Sequence, residues 1–287
     1  MAEVNRTRTR LASDIITRSQ AARAVERAGG AVMTQAQQAG RAVLLFVDAC
    51  AQLPNIGTVR RQIIRQIELA GFGSILVLSL VSFLTGMIMA MQTGIELQKF
   101  GVEHQLGAII GATFLREMGP LWCAVIILAR VGAAMAAELG TMVVNEEVDA
   151  LRVMSINPVR YLVLPRLAAL VISMPLLTAI ADFVGLVGGA IASHLLFNVS
   201  YDKFRDSAQA LLGAPDFWFG VMKSACFACV IGTIACDRGL NTTDGAEGVG
   251  RSTTQTVVLC VVFVLIANLL LNALINQVLR PIVEGRA

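Results

Sequence analysis

Long apolar runs, separated by shorter polar stretches, dominate the chain from residue 69 onwards. Five of these runs are long enough to cross a bilayer as an α-helix, which takes about 20 residues. They cover residues 69–91, 106–137, 167–196, 217–236 and 256–275. Because lipid cannot satisfy backbone hydrogen bonds, the pattern predicts an all-α integral membrane protein with five transmembrane helices.

The part of the chain before the first span has a different character. Residues 1–68 contain ten arginines and no lysine. We interpret residues 1–38 as a cytoplasmic tail and residues 39–53 as an amphipathic helix lying in the membrane interface. The apolar side of that helix would present Val43, Leu44, Phe46 and Val47. An organelle transit peptide is the alternative for an Arg-rich start, but three acids within the tail argue against it.

A polar, acid-rich island over residues 138–166 separates the second span from the third. At helical spacing its apolar positions fall on one side of a helix and its charged positions on the other. The apolar positions are Val144, Val148, Leu151 and Met154, and the acids are Glu146, Glu147 and Asp149. We expect Pro158 to end this helix because proline lacks an N–H group. The island therefore predicts a short helix outside the hydrocarbon that serves as a docking surface.

Composition and charge place the protein in a membrane and orient it there. Charged residues make up 15% of the chain, against about 25% in soluble proteins, and the mean hydropathy is +0.70. With a cytoplasmic N-terminus, 16 Lys and Arg lie in the inside segments, which are 1–68, 130–166 and 237–255, and 5 lie in the outside segments 92–105, 197–216 and 276–287. The positive-inside rule therefore predicts a cytoplasmic N-terminus, and the acidic island then faces the cytoplasm.

Adjacent charges at Arg116 and Glu117 lie about ten residues into the second predicted span. Charged side chains are costly at such depth and usually face a bundle interior or a cavity. Two readings stay open: an ion pair that locks helices together, or a polar spot that meets the headgroup of an amphiphile. Asp182 and Lys223 also lie within spans, and for them we expect a structural ion pair.

Two further motifs have bland explanations. Residues 245–252, GAEGVGRS, have the spacing of a nucleotide-binding P-loop with Arg in place of Lys. No strand is predicted before them and a span follows, so we expect a flexible Gly-rich cytoplasmic loop. Cys226 and Cys229 have redox or metal spacing, but inside a span we expect small residues that pack helices. The sequence thus predicts no catalytic, cofactor or metal site in this chain, and no nucleic-acid binding.

Two pairs of glycines are spaced by four residues within predicted spans. They are Gly107 with Gly111 and Gly185 with Gly189. Such pairs let helix backbones approach closely, so both predict tight helix contacts.

Three segments together resemble the MlaE/YrbE family of ABC-transporter permeases. They are FLREMGPL at 114–121, the island at 136–166 and GVGRSTTQTVV at 248–258. The island is the most specific, with its E-[EQ]-x-[DS]-[AS] core followed by N/D-P and then PR. The resemblance covers about residues 40–280, and on it residues 39–287 form an MlaE-type permease domain. The family motif is silent on the Arg-rich tail.

The resemblance implies a homodimer in the bacterial inner membrane that moves phospholipid or another lipid between this membrane and the outer envelope. It implies three protein partners: a cytoplasmic ABC ATPase that hydrolyses ATP, a STAS-domain protein in many systems, and an MCE-domain lipid carrier. By motif, Arg116 and Glu117 correspond to the charged pair that lines the lipid cavity. The coupling helix corresponds to residues 145–154, and there the ATPase would contact Glu146, Glu147, Asp149 and Leu151.

Two functions from other classes remain alternatives. An ion-coupled secondary transporter would use Asp182, Lys223 and Glu117, and would need no ATPase. A membrane scaffold that does not transport would recruit cytoplasmic proteins through the acidic helix. The scaffold predicts that an apolar pair at positions 116 and 117 preserves activity.

Overall fold

The computed structural model describes residues 37, 40–52, 54, 57 and 59–279, and these residues are almost all helical. No strand occurs among them, so the all-α prediction is confirmed. We number the helices in chain order. They are α1 (40–51), α2 (Arg60–Gln98), α3 (Glu103–Val144), α4 (Glu147–Val153), α5 (Val159–Phe197), α6 (Tyr201–Leu211), α7 (Ala214–Leu240) and α8 (Gly245–Leu279).

The chain forms two compact units, Met1–Leu45 and Phe46–Ala287. The first unit is helical where the structure describes it, at residue 37 and residues 40–45. The predicted tail, residues 1–38, therefore lies outside the described residues except for residue 37. Val43, Leu44 and Val47 of α1 are exposed, and the placement of this helix in the membrane interface stays a prediction.

Five helices are long and apolar enough to cross a membrane, and they are α2, α3, α5, α7 and α8. They contain the five predicted spans, and they extend beyond the apolar runs at both ends, with lengths of 27 to 42 residues. In the most apolar stretch of α7, 56% of the residues are buried, against 17% in α8. Helix α7 is therefore the best-enclosed span, and α8 presents most of its apolar side chains outward.

Helix α2 packs along α5 through a stripe of mostly small residues, one every fourth position. The stripe runs Ala70, Ser74, Leu78, Ser82, Gly86, Ala90 and Gly94. A Cβ at Gly86 would run into the carbonyl of Gly185, and one at Gly188 would run into the carbonyl of Phe83. The two backbones therefore touch, which confirms the close approach predicted from Gly185 and Gly189.

The other glycine pair contacts a helix that the sequence pattern did not predict. A Cβ at Gly107 would meet the Phe204 carbonyl, and one at Gly111 would lie 2.6 Å from Leu212 Cδ1. These neighbours belong to α6 and its end, which lie between the third and fourth predicted spans. Helix α6 has a single buried residue, Phe204. Its sequence therefore has no long apolar run that would mark it as a helix of the bundle.

Two predictions about connections are wrong. Helix α4 ends at Val153, before Pro158, and the next helix begins directly after this proline. Asn157 Oδ1 accepts a hydrogen bond of 2.9 Å from the Val159 N–H, so the Asn-Pro pair starts a helix and does not end one. The expected Gly-rich loop at residues 245–252 forms the first two turns of α8. A helix in that position leaves no phosphate-binding loop.

Candidate functional site

Helix α3 widens into a π-helical turn over Phe114–Met118, which holds Arg116 and Glu117 of the second span. Such π-turns are frequent at functional sites because they alter which side chains share a face. Pro120 follows, and its missing N–H leaves the carbonyl of Arg116, four residues earlier, without its usual helical donor. Lys223 Nζ of α7 donates to that carbonyl instead, over 2.7 Å.

Two ion pairs connect this stretch of α3 to α7. Arg116 Nε donates to Asp216 Oδ1 over 2.8 Å, and Lys223 Nζ lies 3.2 Å from Glu117 Oε1. Asp216 Oδ2 also accepts a hydrogen bond of 3.1 Å from the Gly213 N–H. The side chain of Lys223 is only 1% exposed, and burial of an ammonium group is costly unless it is paired and hydrogen-bonded. The two pairs leave the cluster with no net charge.

Helix α8 completes the cluster with two asparagines. Asn268 Nδ2 donates to Glu117 Oε2 over 2.9 Å, and Asn272 Oδ1 accepts from Lys223 Nζ over 2.7 Å. Lys223 thereby has three acceptors for its three donors. Both carboxylate oxygens of Glu117 are engaged as well. The polar contacts therefore tie three spans together around Lys223.

A pocket of about 240 Å³ opens beside these residues. Arg116, Glu117, Asp216, Lys223 and Asn272 supply its polar walls, and Phe219 and Ile275 contribute apolar surface. Arg116 is committed through Nε alone, and its two terminal nitrogens make no hydrogen bond to the described part of the chain. The guanidinium is the group that is able to bind an anion, whereas Glu117 holds Lys223 and Asn268 in place.

Sequence reasoning found three members of this cluster, with the wrong partner for Lys223, and missed three. Arg116 and Glu117 stand out because they are charged within an apolar run. Asp216 lies in the first turn of a span, where an acid is an ordinary helix-start residue. Asn268 and Asn272 carry no charge, so they gave no signal beyond their place inside a span.

The predicted pairing of Asp182 with Lys223 is wrong. Lys223 pairs with Glu117, and Asp182 is 3% exposed with neither oxygen hydrogen-bonded to a described residue. The carboxylate of Asp182 packs against Gly119, where a Cβ would overlap Oδ1. Opposite charges in two spans suggested a pair, but the direction in which each side chain points depends on how the helices pack.

Helix α4 presents a mixed surface at the far end of the bundle from this pocket. Glu146, Glu147 and Asp149 are all exposed, and Val148 is buried and anchors the helix. Leu151 is half-buried. Two apolar side chains, Val153 at 85% and Met154 at 60%, are exposed next to the acids. The surface therefore combines negative charge with an apolar patch, which suits a protein partner.

Metal-ligating side chains are not clustered within the described ranges. No group of three or more His, Cys, Asp or Glu is placed there to hold a metal ion. Cys226 and Cys229 are free thiols on α7.

Comparison with known proteins gives a consistent match over the membrane spans. Residues 63–274 match the family model described as "Permease MlaE". A protein of Rickettsia typhi named "Probable ABC transporter permease protein" is 36% identical over 216 residues, 75% of this chain and 83% of the relative. A protein of Synechocystis with the same kind of name is 36% identical over 218 residues, covering 76% and 83%. The chloroplast protein Trigalactosyldiacylglycerol 1 of Arabidopsis thaliana is 36% identical over 217 residues, covering 76% and 62%.

Proposed function

The chain belongs to the MlaE family of ABC-transporter permeases, and on that premise we propose that it moves phospholipid between the bacterial inner membrane and the outer envelope. In this proposal the chain has no ATPase site of its own, and a separate cytoplasmic ABC ATPase hydrolyses ATP. One relative in the family is named after a galactosylated diacylglycerol, which supports a lipid as the substrate.

The observation that carries the proposal is the guanidinium of Arg116 in a pocket within a membrane span. Its Nε is held by Asp216, and its terminal nitrogens are unengaged by the described residues. Guanidinium groups bind phosphate through two parallel hydrogen bonds, and such charge-assisted bonds are strong. Apolar walls beside the charge suit the glycerol and acyl parts of the same molecule. We assign Arg116 to the lipid phosphate and Glu117 to positioning Lys223 and Asn268.

The docking surface for the ATPase, in this proposal, is helix α4. Its exposed acids Glu146, Glu147 and Asp149 would meet basic residues of the ATPase, and Leu151 would support the packing of the same helix. The proposed assembly is a homodimer, in which the exposed apolar helices contact lipid or the second copy. It also contains an MCE-domain carrier on the outer side and a STAS-domain protein on the inner side. The count of 16 Lys and Arg against 5 supports a cytoplasmic N-terminus.

The test replaces the phosphate-binding group and measures transport. The chain and its co-purifying ATPase are reconstituted into vesicles with fluorescent phospholipid, and Arg116→Lys and Arg116→Gln are compared with the unmodified protein. Loss of one charge-assisted hydrogen bond predicts at least about tenfold slower transport. The matched control is Arg205→Gln on α6, where Arg205 is exposed and paired only at the surface.

Arg116→Lys keeps a cation for Asp216, so it separates phosphate binding from folding. If both Arg116→Lys and Arg116→Gln assemble with the ATPase and transport phospholipid normally, Arg116 does not bind the lipid phosphate during transport. Transport driven by an ion gradient without any ATPase would favour the secondary transporter instead.

A further inference from the structure

A second pocket, of about 320 Å³, lies at the opposite end of the bundle. The first turns of α2 and α5 and the last third of α3 form its walls. Its residue Glu138 follows Arg116 by 22 residues on α3, which is about 33 Å along a helix. That separation is comparable to the hydrocarbon thickness of a bilayer, so the two pockets lie towards opposite faces of the membrane-spanning bundle.

Arg166 is the buried cation of this second pocket. Its Nη1 donates to the Leu162 carbonyl over 2.9 Å, and its Nη2 donates to Glu138 Oε2 over 3.1 Å. The side chain is only 9% exposed, and its Nε is buried and has no acceptor among the described residues. A buried donor of a charged group that lacks a partner is costly. An acceptor from outside the described residues would satisfy this donor.

Two side chains of α2 add to this pattern. Gln62 Oε1 is buried and accepts no hydrogen bond from the described residues. Arg65 comes three residues later on the same helix face and is exposed at the pocket wall. Arg65 and Arg166 against the single carboxylate of Glu138 give the pocket one net positive charge. It offers donors for an anion and, at Gln62, an acceptor for a hydroxyl or ammonium group.

The surroundings of the pocket place it at headgroup depth. Leu69 lines the pocket and begins the first charge-free apolar run, and Arg60 and Arg61 lie just over two turns earlier. Pro165 and Tyr161 supply further apolar and aromatic wall, and aromatic side chains are common at this depth of a membrane. A molecule bound here would have its charge among arginines and its apolar part against the first span.

We propose that this pocket binds the headgroup of a phospholipid from the leaflet opposite to the one that Arg116 faces. The lipid phosphate accepts from Arg166 Nε and Arg65, and Gln62 Oε1 accepts from the hydroxyl or ammonium group of the headgroup. A phospholipid fits better than free phosphate because only the lipid also fills the apolar wall at Leu69. This site is separate from the pocket at Arg116 and does not depend on transport.

The test measures lipid at this pocket directly in the full-length chain. Tyr161→Trp places a fluorophore in the wall, and the purified protein in detergent is titrated with phosphatidylglycerol or phosphatidylethanolamine brominated near the glycerol end of the acyl chains. The protein that keeps Tyr161 reports the quenching of the native tryptophans. The additional quenching seen with Tyr161→Trp should saturate as lipid is added. In the same background, Arg65→Gln should weaken the apparent affinity about tenfold, as expected for one lost charge-assisted hydrogen bond.

The matched control is Arg61→Gln, because Arg61 is exposed on the same helix but does not line the pocket. If Arg61→Gln weakens the apparent lipid affinity as much as Arg65→Gln does, the lipid is only attracted to basic residues in general. That result would overturn the proposed site. Absence of saturable quenching, or no effect of Arg65→Gln, would also overturn it. Inorganic phosphate alone at millimolar concentration should not displace the lipid. Full displacement by phosphate would identify a soluble oxyanion as the ligand and reject the lipid assignment.

Discussion

The carboxylate of Asp216 accepts from two directions at once, with Arg116 Nε on one oxygen and the Gly213 N–H on the other. This double acceptance fixes both the start of α7 and the orientation of the guanidinium. Single residues of the segment 114–120 are equally specific: Gly119 makes room for Asp182, and Pro120 frees a carbonyl for Lys223. At this scale the site depends on which atom each residue provides or omits.

Asp216→Asn is therefore expected to weaken the cluster although it keeps the shape of the side chain. An amide has one acceptor oxygen, so either Arg116 Nε or the Gly213 N–H must face an NH₂ group. We expect a loss of about 1–3 kcal/mol in unfolding free energy. Thermal unfolding in detergent measures it, with the exposed Asp202→Asn on α6 as the control. Equal stability of the two variants would mean that the double acceptance contributes little.

At the scale of elements, the number and order of the spans follow from the sequence, because an apolar run of sufficient length has few other uses. Packing partners follow less well. The stripe on α2 mixes Ala, Ser, Leu and Gly, so no single motif marks it, whereas the glycine pair on α5 was recognisable. Helix α6 was missed because it buries only Phe204. The two π-turns of α3, at Phe114–Met118 and Leu128–Gly132, shift the helix faces in a way that regular periodicity does not predict.

The contact between α2 and α5 gives the prediction at this scale. Gly86→Ala would push a methyl group into the Gly185 carbonyl, and a backbone atom cannot move aside cheaply. We expect destabilisation by about 1–3 kcal/mol, which is typical of overpacking. Gly71→Ala is the matched control on the same helix because its Cβ would meet nothing within 4 Å. Detergent unfolding of both variants decides the question, and a Gly86→Ala protein as stable as Gly71→Ala would contradict the close contact.

For the whole molecule, the family and the general site region were predictable, and the network was not. Arg116 and Glu117 were evident from charge alone, but their partners Asp216 and Lys223 lie 100 and 106 residues further along the chain. Only the packing of α3 against α7 brings these residues together. The docking surface on α4 and the pocket at Arg116 lie at opposite ends of the bundle, and α3 runs from one to the other. Coupling between them would have to pass along or around this helix.

The Glu146→Lys, Glu147→Lys double variant tests the docking surface at this scale. Both acids are exposed, so reversal should leave the spans folded while it places like charges against the partner. We expect the ATPase to be lost from the purified complex, or lipid-stimulated ATP hydrolysis to fall at least about tenfold. The control is Asp202→Lys, Asp206→Lys on α6, an equal change of charge at the other end of the bundle. Normal association and hydrolysis in the α4 variant would falsify its role in coupling.

A π-turn is an α-helix with one extra residue, so Phe114–Met118 can also be regarded as an insertion that the fold retains. Removing one residue there would return the segment to regular helix, and because the bulge itself absorbs the extra residue, the helix on either side would keep its facing. The change would fall on the segment itself, where the directions of Arg116 and Glu117 towards α7 belong to the wider turn. The length of this segment therefore matters to the pocket as well as the identity of its side chains. When this chain is aligned with relatives, a gap placed within residues 114–118 would signal a misalignment or a protein without this pocket.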